Sequence, residues 1–415
     1  MTARSDGAFK LTMKNPLDFT PFFQPITIRN LTLKNRFVMP GMQRGWCEGG
    51  HPPARLAEYY ASRARGGVQL VLSESTAVDH PSATRTWKYG RLASDTVGGW
   101  ALCAEAVHKA GGHFFMQLWH EGALRAEGGD DAYAHFPTLS PSGLMGPNSP
   151  AGQAATAADL EAIRDAFVRS ARLAKQAGAD GLEVHACHGY LLDQFLWGDI
   201  NFRDDGYGGP DIAARVRFPA EIVRAIRDEV GLEFVISFRF SQWKLTSYTA
   251  RIVQTPDELG FMLSTLRDAG VDMFHASTRR FWIPEWPGSD LGLAGWTKRL
   301  SGAPVIAVGS VGLNVDLAET MAGVEASAGG AQTPVGANLA ELLRRFNAGE
   351  FDMVAVGRSN IADADWVAKL RDGHLSQIRI FTIADLGDVA AEAAAAGRRS
   401  SGGLDGEIDN GRNLQ

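Results

Sequence analysis

The chain has 415 residues, 45% of them hydrophobic, which is enough to bury one large core or two domains. Its formal net charge is −6 and it contains no dense block of lysine and arginine, so nucleic-acid binding lacks electrostatic support. No apolar stretch reaches the roughly 18 residues that span a bilayer, and the first residues do not resemble a signal peptide. We therefore expect a cytoplasmic protein that binds neither nucleic acid nor membranes.

Short apolar runs recur along the chain and predict its strands. Residues 1–15 predict a flexible arm, and residues 22–33 alternate around Asn30, which predicts a β-hairpin that closes the bottom of the fold. Eight apolar runs follow, each leading into polar or glycine-containing sequence, as buried parallel strands do. These predicted strands are residues 36–40, 68–73, 113–119, 181–185, 234–240, 273–277, 304–308 and 353–356.

Helical patterns separate the predicted strands. Five of them cover residues 53–65, 96–110, 158–176, 213–229 and 256–268. The last has a strong start signal, because Thr255 can cap the helix and Pro256 suits its first turn. Eight alternating units in about 350 residues favour an α/β fold of the closed (β/α)₈ TIM-barrel type. An open doubly wound sheet is the alternative, which the absence of any G-x-G-x-x-G sequence disfavours.

The domain prediction is a single barrel, residues 16–385, with extended tails on both sides. Residues 323–338 are rich in alanine and glycine and predict a surface insertion before the eighth strand. Residues 386–415 predict a mobile C-terminal tail.

The most informative stretch follows the fourth predicted strand. His185 and His188 stand three residues apart, and Tyr190 comes just beyond them. Imidazoles can donate hydrogen bonds to a carbonyl oxygen, and a phenol can deliver a proton. Functional groups of a TIM barrel lie at the carboxyl ends of its strands, which is where these residues fall. The pattern therefore predicts an enzyme that activates a carbonyl compound.

A metal site and a structural role are the alternatives for this stretch. His185, Cys187 and His188 could ligate a metal ion, but no fourth ligand is evident and the H-E-x-x-H pattern is missing. The other two cysteines, Cys47 and Cys103, have no paired spacing, which disfavours disulfides and an iron–sulfur cluster. We prefer the interpretation without a metal, because the neighbouring phenol suits proton transfer.

Two glycine-containing turns predict a phosphate site. Gly309 and Ser310 follow the seventh strand, and Gly357 and Arg358 follow the eighth. Barrels commonly hold a phosphate at these two places, with backbone N–H groups and a cation. Either turn alone is a weak signal, since a tight turn also needs glycine, but the two together favour a phosphate site.

Further polar and aromatic residues fall at the same end of the predicted barrel. The amide of Gln117 suits the imide edge of a flavin or pyrimidine, and Arg239 could stabilise an electron-rich flavin. A satisfied core hydrogen bond or salt bridge is the alternative for both. Phe281 and Trp282 lie in an irregular segment after the sixth strand and are the candidates for a substrate-facing loop, with packing as their alternative.

Several of these motifs resemble those of a known family. The sequences H-A-C-H-G-Y-L-L-D-Q-F-L from His185 and N-F-R-D-D-G-Y-G-G from Asn201 closely resemble the Old Yellow Enzyme family of FMN-dependent ene-reductases. The similarity covers most of the chain and includes L-K-N-R-F-V-M-P from Leu33, Q-L-W-H from Gln117, and G-R at Gly357. The His-x-x-His spacing resembles the bacterial branch rather than the His-x-x-Asn branch.

The resemblance implies a barrel with non-covalent FMN and with NAD(P)H as the electron donor. The cofactor-binding residues that it implies are Pro40, Gly41, Gln43, Ser75, Gln117, Arg239, Gly309, Ser310, Gly357 and Arg358. In the implied reaction, hydride passes through the flavin to Cβ of an electron-poor alkene conjugated with a carbonyl. His185 and His188 would hold the carbonyl oxygen, and Tyr190 would protonate Cα.

The chain departs from the family pattern at three places. Gln43 stands where the family usually has threonine or cysteine near the flavin, which puts the reduction potential in doubt. Gly122 and Ala123 replace the usual Gly-Arg pair, and Ser75 stands where alanine is common.

Other functions stay open at this stage. The nearest alternative is an FMN-dependent nitro, quinone or xenobiotic reductase, or a dehydrogenating relative. More distant alternatives are a metal-dependent barrel hydrolase that uses His185 and His188, and a nucleotide-binding module without turnover. The family resemblance also suggests a homo-oligomer.

Overall fold

A closed ring of eight parallel strands forms the centre of the protein. The computed structural model describes residues 17–125, 135–313 and 334–387. The strands in the described residues are β1 (Ile26–Ile28), β2 (Leu31–Leu33), β3 (Phe37–Met39), β4 (Leu70–Leu72), β5 (Thr76–Ala77), β6 (His113–Trp119), β7 (Leu139–Ser140), β8 (Leu144–Gly146), β9 (Ser149–Pro150), β10 (Gln153–Ala154), β11 (Gly181–His188), β12 (Val235–Lys244), β13 (Met273–Ser277), β14 (Val305–Val308) and β15 (Met353–Ala355). The ring runs in the order β3-β4-β6-β11-β12-β13-β14-β15, and β15 pairs with β3 to close it. The predicted (β/α)₈ TIM barrel is confirmed.

Helices surround the ring and pack their apolar faces on the outward side chains of the strands. The α-helices in the described residues are α1 (Ala54–Arg65), α2 (Val97–Lys109), α3 (Ala157–Gln176), α4 (Leu191–Leu196), α5 (Ile212–Val230), α6 (Pro256–Ala269), α7 (Leu293–Ser301), α8 (Pro334–Asn347), α9 (Arg358–Ala362) and α10 (Trp366–Arg371). The predicted start of α6 is confirmed, because Thr255 and Glu258 form a reciprocal capping box around it.

Two barrel strands are longer than predicted. The predicted fourth strand ends at His185, whereas β11 continues to His188, and β12 likewise runs on to Lys244. The pairing of β11 with β12 shifts between Ala186 and His188, which is a β-bulge. His188, which lies beyond the fourth strand as predicted from the sequence, therefore shares one bulged strand end with His185.

The lower end of the barrel is apolar and closed. The predicted hairpin is present as β1 and β2, and Leu33 is fully buried in a cluster with inward side chains of the barrel strands. Beside it, Nη2 of Arg227 donates to Oδ2 of Asp272 at 2.6 Å, and both side chains are almost fully buried. Oδ2 of Asp272 also accepts the backbone N–H of Ile236, so this ion pair ties α5 to the starts of β12 and β13.

The predicted tails fall mainly outside the described residues. The arm, residues 1–15, lies outside them, as do residues 388–415 and residues 314–333. Residues 334–338, at the end of the predicted insertion, form the first turns of α8. None of the helices in the described part of the chain is long and apolar enough to cross a membrane.

Candidate active site

A buried carboxylate organises the upper half of the barrel interior. Oε1 of Glu183 accepts a hydrogen bond from Gln117 Nε2 at 2.7 Å, and Oε2 lies 3.0 Å from Ser237 Oγ and 2.8 Å from His275 Nδ1. Burial disfavours the charged carboxylate, but the charges of His275 and Arg239 and these hydrogen bonds outweigh it and lower the pKa of Glu183 to about 2. The carboxylate thereby holds the Gln117 amide with its oxygen pointing away from Glu183.

The orientation of Gln117 decides the tautomer of His185. Gln117 Oε1 lies 3.0 Å from His185 Nδ1 and accepts a second hydrogen bond from Ser75 Oγ at 2.7 Å. Because this oxygen can only accept, Nδ1 carries the hydrogen. Burial and the charge of Arg239 lower the pKa of His185 to about 3, so the ring is neutral and Nε2 bears a lone pair. Nε2 is buried and has no hydrogen-bond partner among the described residues.

His188 lies beside His185 in a strained turn. Its φ is +66°, a left-handed conformation that costs energy for most residues with a side chain. The backbone N–H of His188 donates to Ser241 Oγ at 3.0 Å, and its Nε2 lies 2.8 Å from Ser277 Oγ. Ser277 Oγ also accepts from Arg239 Nη2 at 3.3 Å, so its own hydrogen is available to His188. Burial and the charge of Arg239 lower the pKa of His188 well below its usual value.

The three predicted catalytic side chains come together. The ring centroids of His185 and His188 are 5.6 Å apart, and those of His185 and Tyr190 are 5.1 Å apart. Burial and the nearby charges of Glu121 and Tyr89 raise the pKa of Tyr190 well above its usual value. At neutral pH the phenol is therefore protonated and able to donate.

A fully buried ion pair braces the turn that carries these residues. Lys244 Nζ donates to Asp193 Oδ1 at 2.7 Å, and both side chains have no exposed surface. The second oxygen of Asp193 accepts the backbone N–H of Gly189 at 2.5 Å. Gln194 adds a bond from its Nε2 to the Gly189 carbonyl at 2.6 Å. Buried side chains thus hold both the N–H and the carbonyl group of Gly189, the residue between His188 and Tyr190.

The predicted phosphate turns also meet. Arg358 Nη2 donates to Ser310 Oγ at 3.1 Å, which joins the turn after β14 to the turn after β15. Gly309 and Ser310 have φ values of +146° and +50°, and this bends the backbone sharply at the strand end. Gly357 immediately precedes Arg358, the first residue of α9. The four residues predicted to bind the phosphate therefore lie together at the carboxyl ends of β14 and β15.

Gly41 shows how closely the interior is shaped. A Cβ atom at this position would lie 2.6 Å from the Ser73 carbonyl oxygen and 2.7 Å from Gln117 Oε1, so only glycine fits. Gly41 follows Pro40 at the end of β3. Nearby, Gln43 Nε2 donates to the Ser75 carbonyl at 2.8 Å, while its Oε1 is buried with no partner among the described residues.

The predicted substrate loop lies farther round the rim. The backbone N–H of Phe281 donates to the Gly309 carbonyl at 3.2 Å, and the Trp282 carbonyl accepts from Arg345 of α8 at 2.9 Å. The ring that contacts His188 is instead Trp243, at 4.5 Å between centroids. A cavity of about 350 Å³ lies beside it and includes Ser277 in its lining.

Comparisons with known proteins agree with this geometry. The sequence profile of the NADH:flavin oxidoreductase / NADH oxidase family matches residues 21–327. The chain belongs to this family. The Old Yellow Enzyme from Pichia sp. AKU4542 superposes with a TM-score of 0.71 at 25% identity, covering 90% of this chain and 92% of that one. Morphinone reductase superposes with a TM-score of 0.67, also at 25% identity, over 86% of this chain and 90% of that one. The resemblance to the Old Yellow Enzyme family is confirmed.

Sequence relatives have more varied names. The NADH oxidase of Thermoanaerobacter brockii is 33% identical over 372 residues, which is 87% of this chain and 52% of that protein. The N,N-dimethylglycine/sarcosine dehydrogenase of Chromohalobacter salexigens is 34% identical over 228 residues, 53% of this chain and 32% of that protein. The match thus spans about half the length of the first relative and about a third of the second.

The cofactor of the family is FMN, and the residues of this chain fit it. Gly41 leaves room for a flat ring against Gln117, where any side chain would collide. Arg239 Nε is buried without a partner among the described residues, as expected for a donor that awaits a ligand. The joined turns at Ser310 and Arg358 suit the phosphate. FMN is therefore the cofactor of this protein.

Sequence reasoning missed four residues that shape the site. Glu183 and His275 lie inside predicted apolar strands, and Asp193 and Lys244 pair across 51 positions. A carboxylate in the middle of a buried strand was itself a signal, because buried charges almost always have partners. No sequence signal joins Asp193 to Lys244.

Proposed function

We propose that the protein is an NAD(P)H-dependent reductase of α,β-unsaturated carbonyl compounds. The observation that carries the proposal is the meeting of two imidazoles and a protonated phenol at the carboxyl end of β11. The names of two kinds of relative support it, since one is a 12-oxophytodienoate reductase of rice and another is morphinone reductase. Bound FMN would take electrons from NAD(P)H and supply hydride to the alkene.

The histidines would hold the carbonyl oxygen of the substrate. With Ser277 donating to Nε2 of His188, Nδ1 of that ring carries a hydrogen that can point to the carbonyl. His185 can present a hydrogen on Nε2 once the Ser75 hydroxyl turns from Gln117 to His185 Nδ1, which is 3.3 Å away. Two such donors draw charge toward the oxygen and make Cβ more electrophilic.

Tyr190 would supply the proton. Its phenol is protonated at neutral pH for the reasons given above, and its ring packs against Trp119 at 5.1 Å as well as against His185. These contacts fix the direction of the Tyr190 hydroxyl relative to the two histidines that would bind the carbonyl oxygen. Cα of the substrate would receive the proton as hydride reaches Cβ.

The first test is spectroscopic. Purified protein should be yellow, its flavin band should bleach with NADPH or NADH under anaerobic conditions, and 2-cyclohexenone should restore the band. A protein that stays colourless after addition of FMN would contradict the proposal. Bleaching without recovery by the enone would reject enones as acceptors and favour nitro compounds or quinones instead.

The second test isolates the proton donor. Tyr190→Phe should lower the rate of enone reduction about 10²- to 10⁴-fold and leave the rate of flavin reduction by NAD(P)H unchanged. Tyr207→Phe is the matched control, because Tyr207 donates to Glu221 on α5 and lies outside the proposed site. Equal rates for Tyr190→Phe and the natural protein would show that the proton comes from elsewhere.

The homo-oligomer that the family resemblance suggests stays a prediction, which analytical ultracentrifugation can test.

A further inference from the structure

Three potential metal ligands gather at the bulged end of β11. His185, Cys187 and His188 each place one ligand atom so that all three lie within 4.8 Å of one another. In a regular strand, side chains at positions 185 and 188 would point to opposite faces. The bulge between Ala186 and His188 breaks that alternation and brings all three side chains together.

The two imidazoles are prepared for ligation. His185 is neutral and donates from Nδ1 to Gln117 Oε1, which leaves a buried lone pair on Nε2 without a partner among the described residues. His188 can donate from Nε2 to Ser277 Oγ at 2.8 Å, because that hydroxyl can also accept, and this frees Nδ1 as a ligand. In metal sites, the second ring nitrogen of a histidine usually donates to an oxygen in this way.

The ligand set selects the kind of cation. Two imidazole nitrogens and a thiolate suit Zn²⁺ or Cd²⁺ and not Mg²⁺ or Ca²⁺, which prefer oxygen. Three protein ligands leave a fourth position for water. With metal–ligand bonds of about 2.0 to 2.3 Å, the most separated ligand atoms would need to approach by roughly 1 Å.

Binding is coupled to loss of a proton. Cys187 is a free, buried thiol, so a sulfur–metal bond forms only as the S–H bond breaks and its proton passes to the solvent.

We propose that His185, Cys187 and His188 form an inhibitory site for a thiophilic divalent cation, Zn²⁺ or Cd²⁺. A cation held there takes the lone pairs of both histidines, so neither ring can donate to a substrate carbonyl. Binding itself does not depend on the proposed reductase activity, whereas the inhibition does.

The experiment is a titration of the FMN-loaded protein with Cd²⁺ in a buffer that does not bind metals. The readout is the ultraviolet charge-transfer absorption from thiolate to cadmium, recorded as a difference spectrum. The natural protein should show this band at one equivalent. Cys187→Ala should lack it and bind Cd²⁺ at least about tenfold more weakly. Cys103→Ala removes another buried free thiol, on α2, and should behave like the natural protein.

The outcomes separate the site from the reductase proposal. No thiolate band in the natural protein, or an equal band in Cys187→Ala, would overturn the metal site. Where the protein reduces enones, Cd²⁺ and Zn²⁺ should inhibit in competition with the enone, and the rate of Cys187→Ala should fall less on adding either ion than that of the natural protein. Failure of enone turnover with the thiolate band present would reject the reductase and retain the metal site.

Discussion

The two ends of the barrel contrast in how their polar groups are satisfied. At the lower end, Arg227 and Asp272 are fully engaged with each other and with the backbone, and the hairpin seals the interior with apolar side chains such as Leu33. At the upper end, buried nitrogens of His185 and Arg239 have no partner among the described residues. A buried donor or acceptor without a partner costs roughly 1 to 3 kcal/mol. The upper end is therefore built for a ligand, at the expense of stability, while the lower end stabilises the fold.

The largest effects should come from two buried ion pairs, one at each end. Lys244→Met should lower the free energy of unfolding by about 3 to 5 kcal/mol, because it leaves the buried Asp193 carboxylate without its cation. Arg227→Met should lower it by less, because Asp272 keeps its ion pair with Arg29. Urea denaturation measures this cost. Only Lys244→Met should also raise the KM for an enone and lower kcat, because the Lys244–Asp193 pair holds the Gly189 peptide.

The comparison fails if the two variants have the same kinetics. Residual enone reduction is therefore measured on the folded fraction of both, at a temperature well below either midpoint. A kinetic defect in Arg227→Met as large as that in Lys244→Met would show that the lower end also controls the site.

A substitution that opens a cavity at the lower end should lower folding stability and leave the activity unchanged. Leu33→Ala should reduce the free energy of unfolding by about 2 to 5 kcal/mol, since Leu33 is fully buried between the hairpin and the barrel. The reduction rate of the folded protein should stay the same. A change in the affinity of the protein for FMN would contradict the separation of the two ends.

Acid should destabilise the upper end. The folded-state pKa values of His185, His188 and His275 are lowered by burial, so their stabilisation is present above pH 6.5 and is lost as the pH falls below it. Each proton that the unfolded chain binds in excess costs about 1.4 kcal/mol per pH unit. Burial raises the pKa of Asp193 to about 6 and that of Glu74 to about 7, which offsets part of this loss. Calorimetry should show a lower melting temperature at pH 5.5 than at pH 7.5, and a higher one would contradict the assignment.

The smallest effect should be at Ser75. Ser75→Ala removes the hydroxyl that can stabilise the Nε2–H tautomer of His185, with little change in folding stability. We expect about a tenfold weaker affinity for a phenol that mimics the substrate oxygen, measured by titration of the flavin spectrum. Unchanged affinity would show that the Ser75 hydroxyl does not help His185 to donate from Nε2.

The sequence predicted the barrel well because its strands are buried on both faces. Six of the eight predicted strands agree with the structure to within two residues, and the exceptions are β11 and β12. Both of those continue into polar residues, among them His188 and Lys244, where the apolar run has already ended. The short strand β5 was missed because two residues carry no periodic signal.

The sequence predicted which side chains meet in the site only where those residues are close together in the chain. The spacing of His185, His188 and Tyr190 could be read directly, and the structure places their rings together. The hydrogen-bond partners of the two histidine rings, Gln117 and Ser277, come from other strands, β6 and β13. Their contacts depend on the register between strands, which the hydrophobic pattern does not specify to a single residue.

The backbone at His188 limits which residues evolution can use there. A φ of +66° is tolerated by glycine and, among residues with a side chain, mainly by asparagine, aspartate and histidine. Of these four, only histidine and asparagine have side chains that are uncharged at neutral pH and donate a hydrogen bond. For the proposed role in binding the substrate carbonyl, conformation and chemistry together therefore restrict position 188 to histidine or asparagine.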